Sequence, residues 1–169
     1  MKRIKTMVLL SAVSWLVFHF MMGGKDVHAR NNLVGEAAPP MSVETWLTPT
    51  PDPAGRMVLV DFWATWCPPC RAAIPKMNEF ARRFSDRLLV VGLSDEEPEK
   101  VLAMQSPVIE YSLAVDRMGR MKDAVGVTSI PHVLLVDPDG IVRWQGFPFE
   151  RGHELTAEVI EELLDEYVD

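Results

Sequence analysis

Cys67 and Cys70 are the only cysteines in the 169 residues, and they stand two residues apart in the stretch DFWATWCPPC at 61–70. A thiol pair at this spacing can exchange disulfides, bind a metal or form a static cross-link. The flanking residues discriminate among these uses. An apolar run of β type, residues 57–63, comes just before the pair, and a helix-compatible run, residues 71–84, follows it. Strand, turn and helix place Cys67 at or beside a helix N-terminus, where unpaired backbone N–H groups and the helix dipole favour negative charge. A thiolate there titrates below the ~8.5 of a free thiol, commonly at about 3.5 to 7.5. The thiolate is the attacking species in disulfide exchange, and a second thiol nearby resolves the mixed disulfide. A tetrahedral zinc site would need two further ligands. No third cysteine exists, and His28, His132 and His153 show no ligand spacing. Haem attachment would require His after Cys70, where Arg71 stands. The pair therefore reads as a redox-active Cys67–Cys70 disulfide, with no metal and no other cofactor.

A chain of this length holds one domain with a real core. Its formal charge of −7 removes electrostatic support for a nucleic-acid role. Residues 1–29 read as a secretory signal. Lys2, Arg3 and Lys5 form a basic start, residues 7–22 are mostly apolar, and Val27-His28-Ala29 suits a cleavage site. The apolar run is short for a membrane span, which needs about 20 residues, and an uncleaved N-terminal anchor is the alternative. Either way the domain at 30–169 is exported, to the periplasm or an equivalent extracytoplasmic space. Cleavage after Ala29 would remove four basic residues and only Asp26 among the acids. The domain left behind is acidic and not suited to tight binding on an anionic lipid surface.

Along the domain, the Pro-rich stretch 30–56 is an irregular lead-in with a short strand near 41–47. Residues 57–63 (MVLVDFW) are apolar enough for a central strand buried on both faces. Asp61 is the anomaly in that strand: a buried, unpaired carboxylate holds its proton, so its pKa should rise. The helix at 71–84 contains Pro75, which should kink it. A second buried strand at 87–93, a helix at 98–105, a short strand at 111–116 and a helix at 118–125 ended by Gly126 follow. Strands at 132–137 and 141–146 are joined by Asp137-Pro138-Asp139-Gly140, suited to a type I turn. An amphipathic helix at 154–168 closes the chain. The expectation is an α/β sandwich around a mixed sheet.

With DFWATWCPPC, Pro75 and GVTSIPHVLLVDPDG in view, the chain resembles the thioredoxin superfamily. The likeness is nearest to exported thiol–disulfide oxidoreductases of the TlpA/ResA type and covers residues 33–168. It implies a thioredoxin-like fold with a TlpA-type helix–strand insertion at 94–116, and an enzyme that exchanges thiols for disulfides. It implies Cys67 as an exposed attacking thiolate and Cys70 as the more buried resolving thiol. Asp61 corresponds to a buried acid that assists proton transfer at the second cysteine. Pro131 corresponds to a cis-proline lying against the dithiol, and the backbone at Ile130 would pair with a substrate strand. Trp66, Pro68 and His132 complete the implied substrate-facing set. The lysine that partners the acid in thioredoxin is replaced, with Gly92 in its place, and a threonine usual after the cis-proline is His132 here. His132 is read either as a buried packing residue or as a group that tunes Cys67.

The resemblance also implies protein disulfides as substrates, a membrane thiol-transporting reductase as electron donor, and a monomer. Reduction of client disulfides, as in cytochrome c biogenesis or oxidase metal-site assembly, is the leading function. The alternatives are a dithiol oxidant, a thiol peroxidase of the same fold, and a copper-binding chaperone without enzymatic activity. The peroxidase reading lacks its hydroxyl residue, since Ala64 stands three residues before Cys67.

Overall fold

The computed structural model describes residues 29–168; the leader or anchor expected at 1–29 lies outside them except for Ala29, which bridges to Val127. Strand β1 (Thr45–Trp46) is the remnant of the lead-in strand. It is followed by β2 (Met57–Phe62), helix α1 (Pro68–Arg83), β3 (Leu88–Ser94) and α2 (Pro98–Leu102). Next come β4 (Ser112–Val115), α3 (Arg120–Val125), β5 (His132–Val136), β6 (Val142–Gly146) and α4 (Ala157–Tyr167). The strands form one sheet in the order β1-β4-β3-β2-β5-β6. Pairs β2–β3 and β3–β4 are parallel, and β1–β4, β2–β5 and β5–β6 are antiparallel. This is the expected mixed-sheet α/β fold, and α2 with β4 is the expected helix–strand insertion.

The sheet is buried on both faces because its central strands are apolar at successive positions, not alternate ones. Met57, Leu59 and Trp63 of β2 and its exit meet α1 and α4 on one face, together with Ile74, Met77, Ile160 and Leu164. Val60 and Phe62 meet Met121 and Val125 of α3 on the other. Side chains alternate along a strand, so Asp61 shares the α1 face with Leu59 and Trp63. Helix α1 runs unbroken through Pro75. Pro75 lies on its exposed side, between buried Ile74 and Met77, where solvent can meet the carbonyl left without its N–H partner. Helix α2 is shorter than expected, because the chain turns away at Ala103 and passes through a cis Ser106–Pro107 peptide. The 137–140 turn closes as expected: Gly140 N–H donates to Asp137 O at 3.0 Å, and Gly140 takes φ 83°.

Candidate active site

Strand β2 ends at Phe62, and residues 63–66 turn the chain into α1, leaving Cys67 as the helix N-cap. Cys67 has extended backbone angles (φ −91°, ψ 104°), and its Sγ accepts the Cys70 N–H at 3.2 Å. Pro68 and Pro69 fill the first two helical positions, where a missing N–H does no harm to the helix. They offer no donor to the sulfur, so the Cys70 N–H is the first the helix can aim at it. Cys67 and Cys70 form a disulfide with Cα atoms 5.3 Å apart.

Both sulfurs are interior. Cys70 is fully buried, and Cys67 is only 2% exposed, which corrects the expectation of an exposed attacking residue. In this disulfide-bonded state Cys67 is part of the apolar cluster under α1, and its Sγ lies 3.8 Å from Ile130 O. The outward-facing member of the site is Trp66, 63% exposed, and Pro68 beside it is also exposed.

The Ile130–Pro131 peptide is cis, as the resemblance implies, and it presents the Ile130 carbonyl to Cys67. Ile130 is half-buried and Pro131 buried. His132 requires a correction. It pairs with Phe62 across β2–β5, is fully buried, and sets its ring 6.2 Å from the Phe62 ring. Phe62 faces the α3 side of the sheet, so His132 points away from the face that carries α1 and is not exposed at the surface. Of its two readings, packing is the one this position supports.

Asp61 is completely buried, and burial pushes its carboxyl up to about 7 against an opposing hydrogen bond from Tyr111. The Tyr111 hydroxyl donates to Asp61 Oδ2 at 3.4 Å, while Oδ1 has no hydrogen-bond partner among the described residues. Gly92 stands opposite Asp61 on β3. A Cβ at position 92 would lie 2.9 Å from Tyr111 Cε2 and 3.0 Å from both Leu113 Cδ2 and Trp63 Nε1. The space beside the acid is therefore filled by the ring of Tyr111, just before β4. Gly92→Ala forces these packed groups apart and should cost about 1 to 3 kcal/mol, as overpacking does. Urea unfolding measures it; an unchanged midpoint would show that the rings move aside freely.

Sequence reasoning missed Tyr111 and also Glu96. Glu96 is buried, and its carboxylate accepts the Thr65 N–H at 2.6 Å and the Thr65 hydroxyl at 2.8 Å. Ser94 Oγ donates to it at 3.3 Å, and Lys100 Nζ lies 3.3 Å away. Burial raises the Glu96 pKa, but the Thr65 and Lys100 contacts outweigh it and hold the group below the usual carboxylate value. A buried carboxylate thus anchors the loop that delivers Trp66 and Cys67. Nothing in the acidic run 95–99 distinguishes this one glutamate from its exposed neighbours, because its partner is 31 residues away.

The profile of the AhpC/TSA family matches residues 34–145. The thioredoxin-like protein YneN of Bacillus subtilis (strain 168) is 31% identical over 117 residues, covering 64% of this chain and 68% of YneN. The thiol-disulfide oxidoreductase ResA of Bacillus thuringiensis subsp. konkukian is 30% identical over 119 residues. That match covers 68% of this chain and 62% of ResA, just under two thirds of the relative's length. The crystal structure of a thiol:disulfide interchange protein DsbE from Chlorobium tepidum superposes with a TM-score of 0.55 at 26% identity. The match covers 66% of this chain and 80% of that one.

Proposed function

The chain belongs to the AhpC/TSA family of thioredoxin-like proteins, and from that premise we propose that it reduces protein disulfides outside the cytoplasm through Cys67 and Cys70. The observation that carries the reading is the position of Cys67: its sulfur caps α1, accepts the Cys70 N–H, and lies against the carbonyl before a cis-proline. A thiolate is favoured at such a helix terminus.

In the reduced protein the Cys67 thiolate attacks one sulfur of a substrate disulfide. The substrate S–S bond breaks, its second sulfur leaves as a thiolate that takes a proton from solvent, and Cys67 is left in a mixed disulfide. Cys70 then loses its proton to the Asp61 carboxylate and attacks Cys67 Sγ. The mixed disulfide breaks, and the substrate's other sulfur departs as a thiolate. Two electrons have passed to the substrate, and the Cys67–Cys70 disulfide is the oxidised product. A dithiol donor, proposed to be a membrane thiol-transporting reductase, returns two electrons and regenerates the thiols. No cofactor beyond the cysteine pair takes part.

Trp66 and Pro68, exposed beside the pair, and the backbone at Ile130 and Pro131 form the proposed contact for an extended substrate segment. The features of residues 1–29 support export, and the relatives named thiol-disulfide oxidoreductase and thiol:disulfide interchange protein support disulfide exchange. Apocytochrome c and copper-site assembly proteins are the proposed clients. Buried Ala64 provides no hydroxyl for peroxide chemistry.

The test is the Cys67–Cys70 reduction potential, measured by equilibration in thiol buffers with mass-spectrometric counting of free thiols. A reductant should fall near or below about −270 mV, the thioredoxin value. A value near about −120 mV would make the protein a disulfide donor instead, and a pair that does not cycle would end the enzymatic reading.

A further inference from the structure

We propose that Tyr111 is a positioning residue of the dithiol site, its hydroxyl holding Asp61 as the carboxylate that receives the Cys70 proton. This inference rests on the proposed role of Asp61 as proton acceptor. Side-chain alternation puts Asp61 on the α1 face, in the company of Cys70. Its register partners are Gly92 on β3 and Val133 on β5. Trp63 just past β2 and Cys70 of α1 share the buried cluster on this face, and Tyr111 on the approach to β4 reaches Asp61 with its hydroxyl. Only Tyr111 and reduced Cys70 titrate, and none of these groups is a cation.

A buried carboxylate with no cation is ionised only if hydrogen bonds to its charged form offset desolvation. Tyr111 is the one side chain among the described residues that supplies such a bond. It reaches Asp61 because Gly92 has no side chain, and the ring occupies that space. The 3.4 Å separation is long for a bond to an ionised group, and such bonds tighten when the charge forms. Burial and the neighbouring Asp61 charge push the Tyr111 phenol well above its ordinary value, so it acts only as a donor. Tyr111 occupies Oδ2 and leaves Oδ1 to take the proton. The transfer balances: Cys70–SH and Asp61–COO⁻ become Cys70–S⁻ and Asp61–COOH. Asp61 keeps that proton through formation of the disulfide, then returns it to Cys70 when the dithiol donor reduces the pair.

The experiment follows the reduced protein with one equivalent of 5,5′-dithiobis(2-nitrobenzoate) in stopped flow. The first thionitrobenzoate released reports attack by Cys67, and the second reports resolution by Cys70. Resolution by the unmodified protein should quicken with pH along a limb set by Asp61. In Tyr111→Phe that limb should move up by about one pH unit, the worth of a lost hydrogen bond to a charged group. Resolution below the limb should then be up to about tenfold slower, the rates should converge at high pH, and the first phase should be unchanged. Asp61→Asn should lack the limb, and adding Tyr111→Phe to it should change nothing further. If Tyr111→Phe does not fold, 3-fluorotyrosine at position 111, in a chain carrying Tyr167→Phe, keeps the ring and strengthens the donor. It should move the limb down. A limb that stays in place in either Tyr111 variant, while Asp61→Asn abolishes it, overturns the role of Tyr111 alone. A limb that survives in Asp61→Asn overturns the role of Asp61 on which it rests.

Discussion

Cys70→Ser should hold its client as a stable mixed disulfide, and Cys67→Ser should not react at all. The difference follows from the places of the two sulfurs on α1. Cys67 sits at the N-cap, where the Cys70 N–H points at its sulfur, so it is the residue proposed to hold the stabilised thiolate and to strike first. Cys70, fully buried one turn into the helix, meets only Cys67 and the interior. Without the second thiol no internal attack can release the substrate, and the adduct persists until an external thiol reaches it. Loss of the Cys67 nucleophile should lower disulfide reduction by three orders of magnitude or more, on the order of what other enzymes lose with their nucleophile. Non-reducing electrophoresis with a disulfide-bonded protein substrate reads both variants. A Cys70→Ser protein that turns over normally, or a Cys67→Ser protein that forms the adduct, would reverse the assignment of attacking and resolving residues.

Asp61→Asn should make the protein more stable at pH 8 and remove most of the pH dependence of its stability between pH 4 and 7. Burial raises the Asp61 carboxyl to about 7. The unfolded chain releases this proton near pH ~4, and the native state keeps it until about 7. Between those values the native state binds the more protons, so the free energy of unfolding falls as pH rises and levels off above 7. The full ionisation cost is on the order of 4 kcal/mol. The amide that replaces the acid brings two N–H donors into a site without a ready acceptor, at a cost of about 1 to 3 kcal/mol. The ionisation cost is the larger, leaving a net gain of roughly 1 to 3 kcal/mol at pH 8, and a loss at pH 4 where the native acid is already neutral. Urea unfolding at both pH values measures the difference. Equal stabilities at pH 8 would mean that Asp61 ionises without difficulty, which its surroundings do not predict.

The same acid that lowers stability at neutral pH is the group proposed to accept the Cys70 proton. An acid with a pKa near 7 is charged in part of the population and can exchange a proton with a thiol without a large energy gap. A stabilising substitution that slows chemistry is the usual relation between a strained site and its scaffold.

Local sequence determined much of this protein. The apolar runs that became β2 and β3 specify buried strands because nearly every residue in them is apolar. The Asp137–Gly140 turn follows from residues that prefer those backbone angles. The Cys67–Cys70 spacing, set between a strand and a helix, located the site, because thiol chemistry depends on neighbours in the chain and on the helix terminus that Cys67 caps. The anomaly of Asp61 was also visible, since a carboxylate within an apolar run must be either buried or out of place. Tertiary structure alone decided the rest. It buried Cys67, because that sulfur packs against the loop before Pro131, more than sixty residues away. It placed His132 on the far face of the sheet, because strand register and alternation fix the side of each residue only once β5 has paired with β2. It brought Tyr111 to Asp61 and Glu96 to Thr65 across separations of 50 and 31 residues. A tyrosine near a strand and a glutamate in an acidic loop look ordinary in the sequence. Their roles come from what folding sets beside them: a space left by a glycine, and a backbone N–H in need of an acceptor.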